Sequence, residues 1–187
     1  MSPTNGSDQV ANVAPVSFDQ PDAERPRLPF DPIERAGELW TERFGEAGPM
    51  RLATSVMRVQ QLMSASLDAA LKPWGLTFSR YEVLVLLSFS RSQTLPMSKI
   101  GERLMVHPTS VTNAVDRLVK QGYVDREADP KDRRRILASL TAAGQEALVA
   151  ATDAVMGIDF AVDGPSVQEQ ATMYELMRRM RSNAGDF

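Results

Sequence analysis

Between Ser98 and Leu140 the spacing of apolar residues changes from three-and-four to two, and this change restricts the fold more than any other feature of the chain. Before the change, Ser98 stands as the cap of a short helix running to Met105, with Ile100 and Leu104 facing inward. After Val106 and His107, Pro108 opens a second helix to Gln121, whose apolar stripe is Val111, Val115, Leu118 and Val119 and whose stop is Gly122. Beyond it, "YVDREA" and "RRRILASL" flank "DPKD", a turn sequence. In the second stretch Ile136, Ala138 and Leu140 point one way and Arg133, Arg135, Leu137 and Ser139 the other. Two helices across a tight turn followed at once by a hairpin make a compact unit in which the second helix turns its polar side outward.

That polar side consists of Thr109, Ser110, Thr112, Asn113, Asp116, Arg117 and Lys120. Short hydroxyl and amide side chains let a helix approach base edges closely, while Arg117 and Lys120 can reach phosphates. Taken alone the helix fits a solvated surface equally well. The hairpin tips the balance, because Lys131, Arg133, Arg134 and Arg135 fall within five positions of a chain whose formal net charge is -3. From Ser98 to Leu140 there are nine Lys or Arg against six Asp or Glu, an excess of +3, which leaves -6 for the remainder. A local basic patch on an acidic chain fits an anion-binding face, and beside a helix-turn-helix its arginines suit a narrow minor groove or its phosphates.

The flanking segments supply helices. Residues 1–30, rich in Pro, Ser, Asn and Asp, have no apolar period and are expected to form a disordered tail. Asp31 and Pro32 start a helix carrying Ile33, Ala36, Leu39, Trp40 and Phe44, ended by Gly45 and Gly48. Pro49 opens a longer one with Leu52, Val56, Val59, Met63, Leu67 and Leu71 at helical spacing, about 33 Å long at 1.5 Å per residue. Ser79 and Glu82 form a capping box for a third, nearly all-apolar helix, "YEVLVLLSF", followed by a short extended stretch at Thr94 to Pro96. After the hairpin, one helix carries Leu148, Ala151, Val155 and Ile158; another, capped by Ser166 and Glu169, carries Met173, Leu176, Met177 and Met180. A DNA-binding module does not need these last two helices, so their stripes are expected to meet a partner subunit.

The order "LTFSRYEVLVLL" then "MSKIGERLMVHPTSVTNAVDRLVKQGYVDREADPKDRRRILASLTAAG" resembles the MarR family of bacterial transcriptional regulators, over roughly Arg51 to Arg181. The resemblance implies a mainly α fold with a small β wing, a winged helix-turn-helix with N- and C-terminal dimerisation helices. Its parts would be the N-terminal helices at 31–75, the DNA-binding module at 76–140 and the C-terminal helices at 141–187. It also implies a homodimer on a pseudo-palindromic DNA operator, acting as a repressor released by a small anionic or aromatic ligand. Carried over by position, the DNA-facing residues of the recognition helix are Pro108, Thr109, Ser110, Thr112, Asn113 and Arg117. In the wing, Asp132 and Arg134 match the family's acid and groove-inserting arginine; Asp132 would orient Arg134, with Lys131 and Arg133 on phosphates. Trp40, Arg51, Met57, Trp74 and Tyr81 are candidates to line a ligand crevice. The urate-responsive branch is matched at Trp40, Glu82 and Arg126 but not at Ala114, so urate is not assigned.

Several classes drop out on composition. The sequence has no cysteine and one histidine, which leaves no thiolate chemistry, little for a zinc site and no cofactor expectation. His107 adjoins a helix start, where capping or a phosphate contact is simpler than catalysis, so no enzyme is expected. With no long apolar run or secretory leader, a cytoplasmic location away from membranes is expected. The alternative function is a winged helix used only for protein contacts, without specific DNA binding.

Overall fold

The structure is a computed structural model that describes residues 28–187, so the tail expected at 1–30 lies almost wholly outside the described residues. Helix α1 (Pro32–Phe44) starts as expected, with Asp31 Oδ1 accepting from the Ile33 and Glu34 amides at 2.8 and 3.4 Å. Gly45, at φ +97°, stops it. Gly48 does not help to end α1; it is the first residue of α2 (Gly48–Leu71), because Pro49 suits a first helical turn. Helix α1 lies close on α2 at Gly37, where the Arg51 guanidinium fills the space a Cβ would need, 2.0 Å from Nε. Arg51 Nη2 also donates to Glu34 at 3.0 Å, so this arginine joins the two helices.

A 3-10 turn at Lys72–Trp74 leads to α3 (Phe78–Ser88). The capping box expected at Ser79 and Glu82 does not form. The cap position falls two residues earlier, at Thr77, and the Phe78 amide donates to Asp68 Oδ1 of α2 at 2.6 Å, a cap delivered across the fold. Ser79 Oγ lies instead 3.1 Å from Thr77 Oγ1. With Ser79 inside the helix its hydroxyl cannot cap it, and a cap such as that from Asp68 contributes about 1–2 kcal/mol. Released from the box, Glu82 is half-buried, and burial pushes its carboxyl above the ordinary 4.5. The folded state therefore holds this proton more tightly than the unfolded chain, and the associated stability is full below 4.5 and lost as pH rises through the raised value. Glu82→Gln is expected to melt higher than the parent at pH 7 and to converge with it below 4.5; a lower melting temperature at pH 7 would show that the carboxylate is stabilised there.

Strand β1 (Thr94–Pro96) runs directly into α4 (Met97–Leu104), with Pro96 as the extended residue before it. Ser98 is thus inside the helix and not its cap, since the proline already sets the chain direction into the first turn. Met105, left-handed at φ 53°, ends α4 and begins the tight turn into α5 (Pro108–Lys120). Strands β2 (Val124–Asp129) and β3 (Asp132–Leu140) form the hairpin, and the antiparallel sheet has the order β1-β3-β2. The register pairs Arg126 with Ala138, and Leu95 with Ala138 from the other side. Ala138 is fully buried as a result, while the arginines nearer the tip reach solvent.

The core gathers Leu71 of α2, Leu84 and Leu87 of α3, Ile100, Val115, Leu118 and the base of β3, all closed off from water. Helix α6 (Ala142–Met156) belongs to it. Leu148, Ala151 and Val155 are buried against this core, and Thr152 Oγ1 lies 3.1 Å from the Tyr81 hydroxyl. The expectation that both C-terminal stripes need another surface is therefore corrected for α6, whose apolar face is satisfied within the chain; Ile158 falls beyond its end. Helix α7 (Val167–Asn183) is different. The Ser166–Glu169 capping box is present, yet none of its residues is buried, and Met173, Leu176, Met177 and Met180 are exposed. No helix among the described residues is long and apolar enough to cross a membrane.

Candidate nucleic-acid interface

Helix α5 is built to hold one face rigid and offer the other. Val111, Val115 and Leu118 are buried, which at about 100° per residue turns Thr109, Asn113 and Lys120 directly away from the core. Val119, expected in the stripe, lies at its border and is exposed, because three buried positions already fill the contact. His107 caps the helix, with Nδ1 accepting from the Thr109 amide at 3.2 Å and lying 3.1 Å from Thr109 Oγ1. An accepting Nδ1 places the ring proton on Nε2. Thr112 Oγ1 donates to the Pro108 carbonyl at 3.0 Å. Pro108, Thr109, Ser110, Asn113 and Arg117 are exposed and Thr112 is half-buried at the border of the core stripe.

The wing is held beside this helix. Arg126 of β2 pairs with Asp116 of α5, an ion pair that ties the hairpin to the recognition helix and that sequence reading missed. At the tip, Asp129 is 8% exposed; its Oδ1 accepts from the Lys131 amide at 2.9 Å and its Oδ2 faces Arg135 Nε at 3.7 Å. This acid organises the turn. Asp132 accepts from the Arg134 backbone amide at 3.1 Å, not from its guanidinium. Its effect on Arg134 is thus exerted through the backbone. The Lys131, Arg133 and Arg134 side chains are exposed and make no ion pair with the described residues.

Between α5 and the wing lies an open cleft of about 390 Å³, lined by Ser98, Thr112, Arg126, Arg134, Arg135 and neighbours. Arg126 and Arg135 of this lining face Asp116 and Asp129, which leaves Arg134 as its guanidinium without an ion pair among the described residues, open to an anion. The five residues suggested for a ligand crevice are placed otherwise. Tyr81 is buried in the core, Trp74 packs against its edge, and Arg51 is tied to α1. Trp40 packs against Phe44 with the rings tilted and their centroids 4.9 Å apart, and Met57 is exposed on α2.

A helical core that presents one polar helix beside an arginine-tipped antiparallel hairpin defines a winged helix-turn-helix protein. The model of the MarR family matches residues 76–136, within this unit. The chain is 50% identical to Sco5413, a MarR family transcriptional regulator from Streptomyces coelicolor, covering 74% of this chain and 96% of that one with a TM-score of 0.70. It belongs to the MarR family, whose members are transcriptional regulators and not enzymes. Sco3205 from the same organism, also a MarR family regulator and solved in complex with DNA, is 28% identical over 75% of this chain and 90% of its own, with a TM-score of 0.66. Among curated relatives, the uncharacterized HTH-type regulator YkoM of Bacillus subtilis is 39% identical over 77 residues, 41% of this chain. Such matches are local: the chain spans about half the length of the curated relatives it matches first.

Proposed function

We propose that the protein is a dimeric, sequence-specific DNA-binding regulator that represses transcription and leaves its operator when a small anionic or aromatic ligand binds. The observation that carries this reading is the placement of three cations without an ion pair among the described residues, Lys131, Arg133 and Arg134, at a braced wing tip beside the outward face of α5. With α5 in a major groove, the wing falls on the flanking backbone, and Thr109, Ser110, Thr112, Asn113 and Arg117 meet the duplex first. The bare apolar row of α7 supports dimerisation, together with exposed Leu39, Leu52 and Val59 of α1 and α2. Two-fold symmetry would set the recognition helices about 34 Å apart, one turn of DNA. A small anion in this cleft would engage Arg134 and keep it from the minor groove, which is the route by which a ligand would release the operator.

Selection from random duplexes by the purified protein tests this reading. The expected product is an inverted repeat with half-site centres about ten base pairs apart, bound with an affinity that falls steeply with salt. Binding to a partner protein with no duplex ever enriched would reject it in favour of a protein-interaction module.

A further inference from the structure

The hydrogen bonds at the start of α5 separate its outward groups into those already engaged and those without a partner. Thr109 Oγ1 lies within bonding distance of His107 Nδ1, and Thr112 Oγ1 is committed to the Pro108 carbonyl. In the first two turns this leaves Ser110 and Asn113, both exposed and without a side-chain partner among the described residues. Asn113 stands at the crest opposite Val111, Val115 and Leu118, so its side chain points away from the core. Its carboxamide offers one donor and one acceptor side by side. Adenine presents the complementary pair, the N7 acceptor and N6 donor, on its major-groove edge.

We infer that Asn113 is the specificity-determining residue of the recognition helix and that it reads an adenine in each operator half-site. This rests on the regulator reading above and adds a base to it. The surroundings favour the same composition. Guanine is most often read by an arginine or lysine, and α5 has neither before Arg117, one turn beyond Asn113. With its hydroxyl hydrogen given to the backbone, Thr112 has an acceptor oxygen and its methyl left to offer. That methyl and the Pro108 ring suit the C5-methyl of thymine. The half-site is therefore A·T-biased where the N-terminal turns of α5 lie, while Arg117 and Lys120 hold phosphates.

The test is selection by the wild-type protein, Asn113→Ala and Asn113→Asp from one random duplex pool, with quantitative competition at each position. Wild type should enrich an A·T pair at one position of each half-site. Asn113→Ala should lose about 5- to 150-fold of preference for adenine at that position only, with the other positions and the salt dependence unchanged. Asn113→Asp keeps the acceptor and loses the donor, and should shift that position toward cytosine, whose N4 donates. The substituted side chain is exposed, and a circular-dichroism melt checks that each variant is folded. Selected sites identical for all three proteins, or a G·C pair at the position that Asn113→Ala relaxes, would overturn the assignment. Failure of the wild type to enrich any duplex would overturn the regulator reading and this inference with it.

Discussion

Gly144→Ala is expected to destabilise the protein by about 3 kcal/mol, the upper end of the usual overpacking range. Gly144 lies in the first turn of α6, where that helix abuts the base of the wing. Its amide donates to Thr141 Oγ1 at 2.9 Å, while Thr141 donates from Oγ1 to the Gly122 carbonyl at 2.7 Å and from its amide to the Tyr123 carbonyl at 3.1 Å. A Cβ on Gly144 would sit 2.1 Å from the Tyr123 oxygen and 2.9 Å from Leu140 Cδ1. The nearer atom is backbone, and it cannot retreat without breaking its bond to Thr141. Urea denaturation should show a lower midpoint at unchanged slope. Gly122→Ala is the control: its Cβ would meet nothing, but φ is +75°, so the loss should be only about 1 kcal/mol. A smaller loss for Gly144→Ala than for Gly122→Ala would show that α6 is loosely seated on the wing.

Arg134→Ala is expected to weaken binding to the selected operator by about 1–3 kcal/mol, while affinity for unrelated duplexes changes little. The side chain is exposed and unpaired among the described residues, and its backbone amide is fixed by Asp132, so its loss removes a contact without unfolding the tip. Lys131→Ala should behave differently. A phosphate contact carries no sequence information, so all duplexes should weaken alike and the slope of log affinity against log salt should fall by about one. Equal affinities for both variants and the parent, in folded protein, would remove the wing from the interface. Titrations at several salt concentrations separate the two behaviours.

Much of the interface was legible because its signals are local. Pro108 and Gly122 bound α5 within one residue, since a missing amide and a left-handed position act on the turn that contains them. Strict alternation at Ile136, Ala138 and Leu140 gave the buried side of β3 for the same reason. What escaped depends on residues distant in sequence. Ser79 and Glu82 satisfy the local pattern of a capping box, and only the fold brings Asp68 to the Phe78 amide instead. The apolar stripe of α6 shows that a surface is needed without saying which, and the core of the same chain supplied it. Asp116 and Arg126, ten positions apart, meet only because the hairpin folds back along α5. Asp129 was legible as a turn residue, but its double role, under Lys131 and against Arg135, follows from the irregular register between Ala128 and Asp129.

The absence of cysteine provides the most direct test of the central claim, that α5 and the wing together form the DNA-binding face. A single cysteine can be placed at exposed Ser110 on α5, at exposed Ala128 beside the wing tip, or at exposed Val149 on α6 as a control, and coupled to an iron chelate that cuts nearby DNA. With the selected operator, cutting is expected within both half-sites from position 110, in the flanking minor grooves from position 128, and nowhere from position 149. Cutting from position 149 with none from 110 or 128 would contradict the account and place the DNA on another side of the molecule.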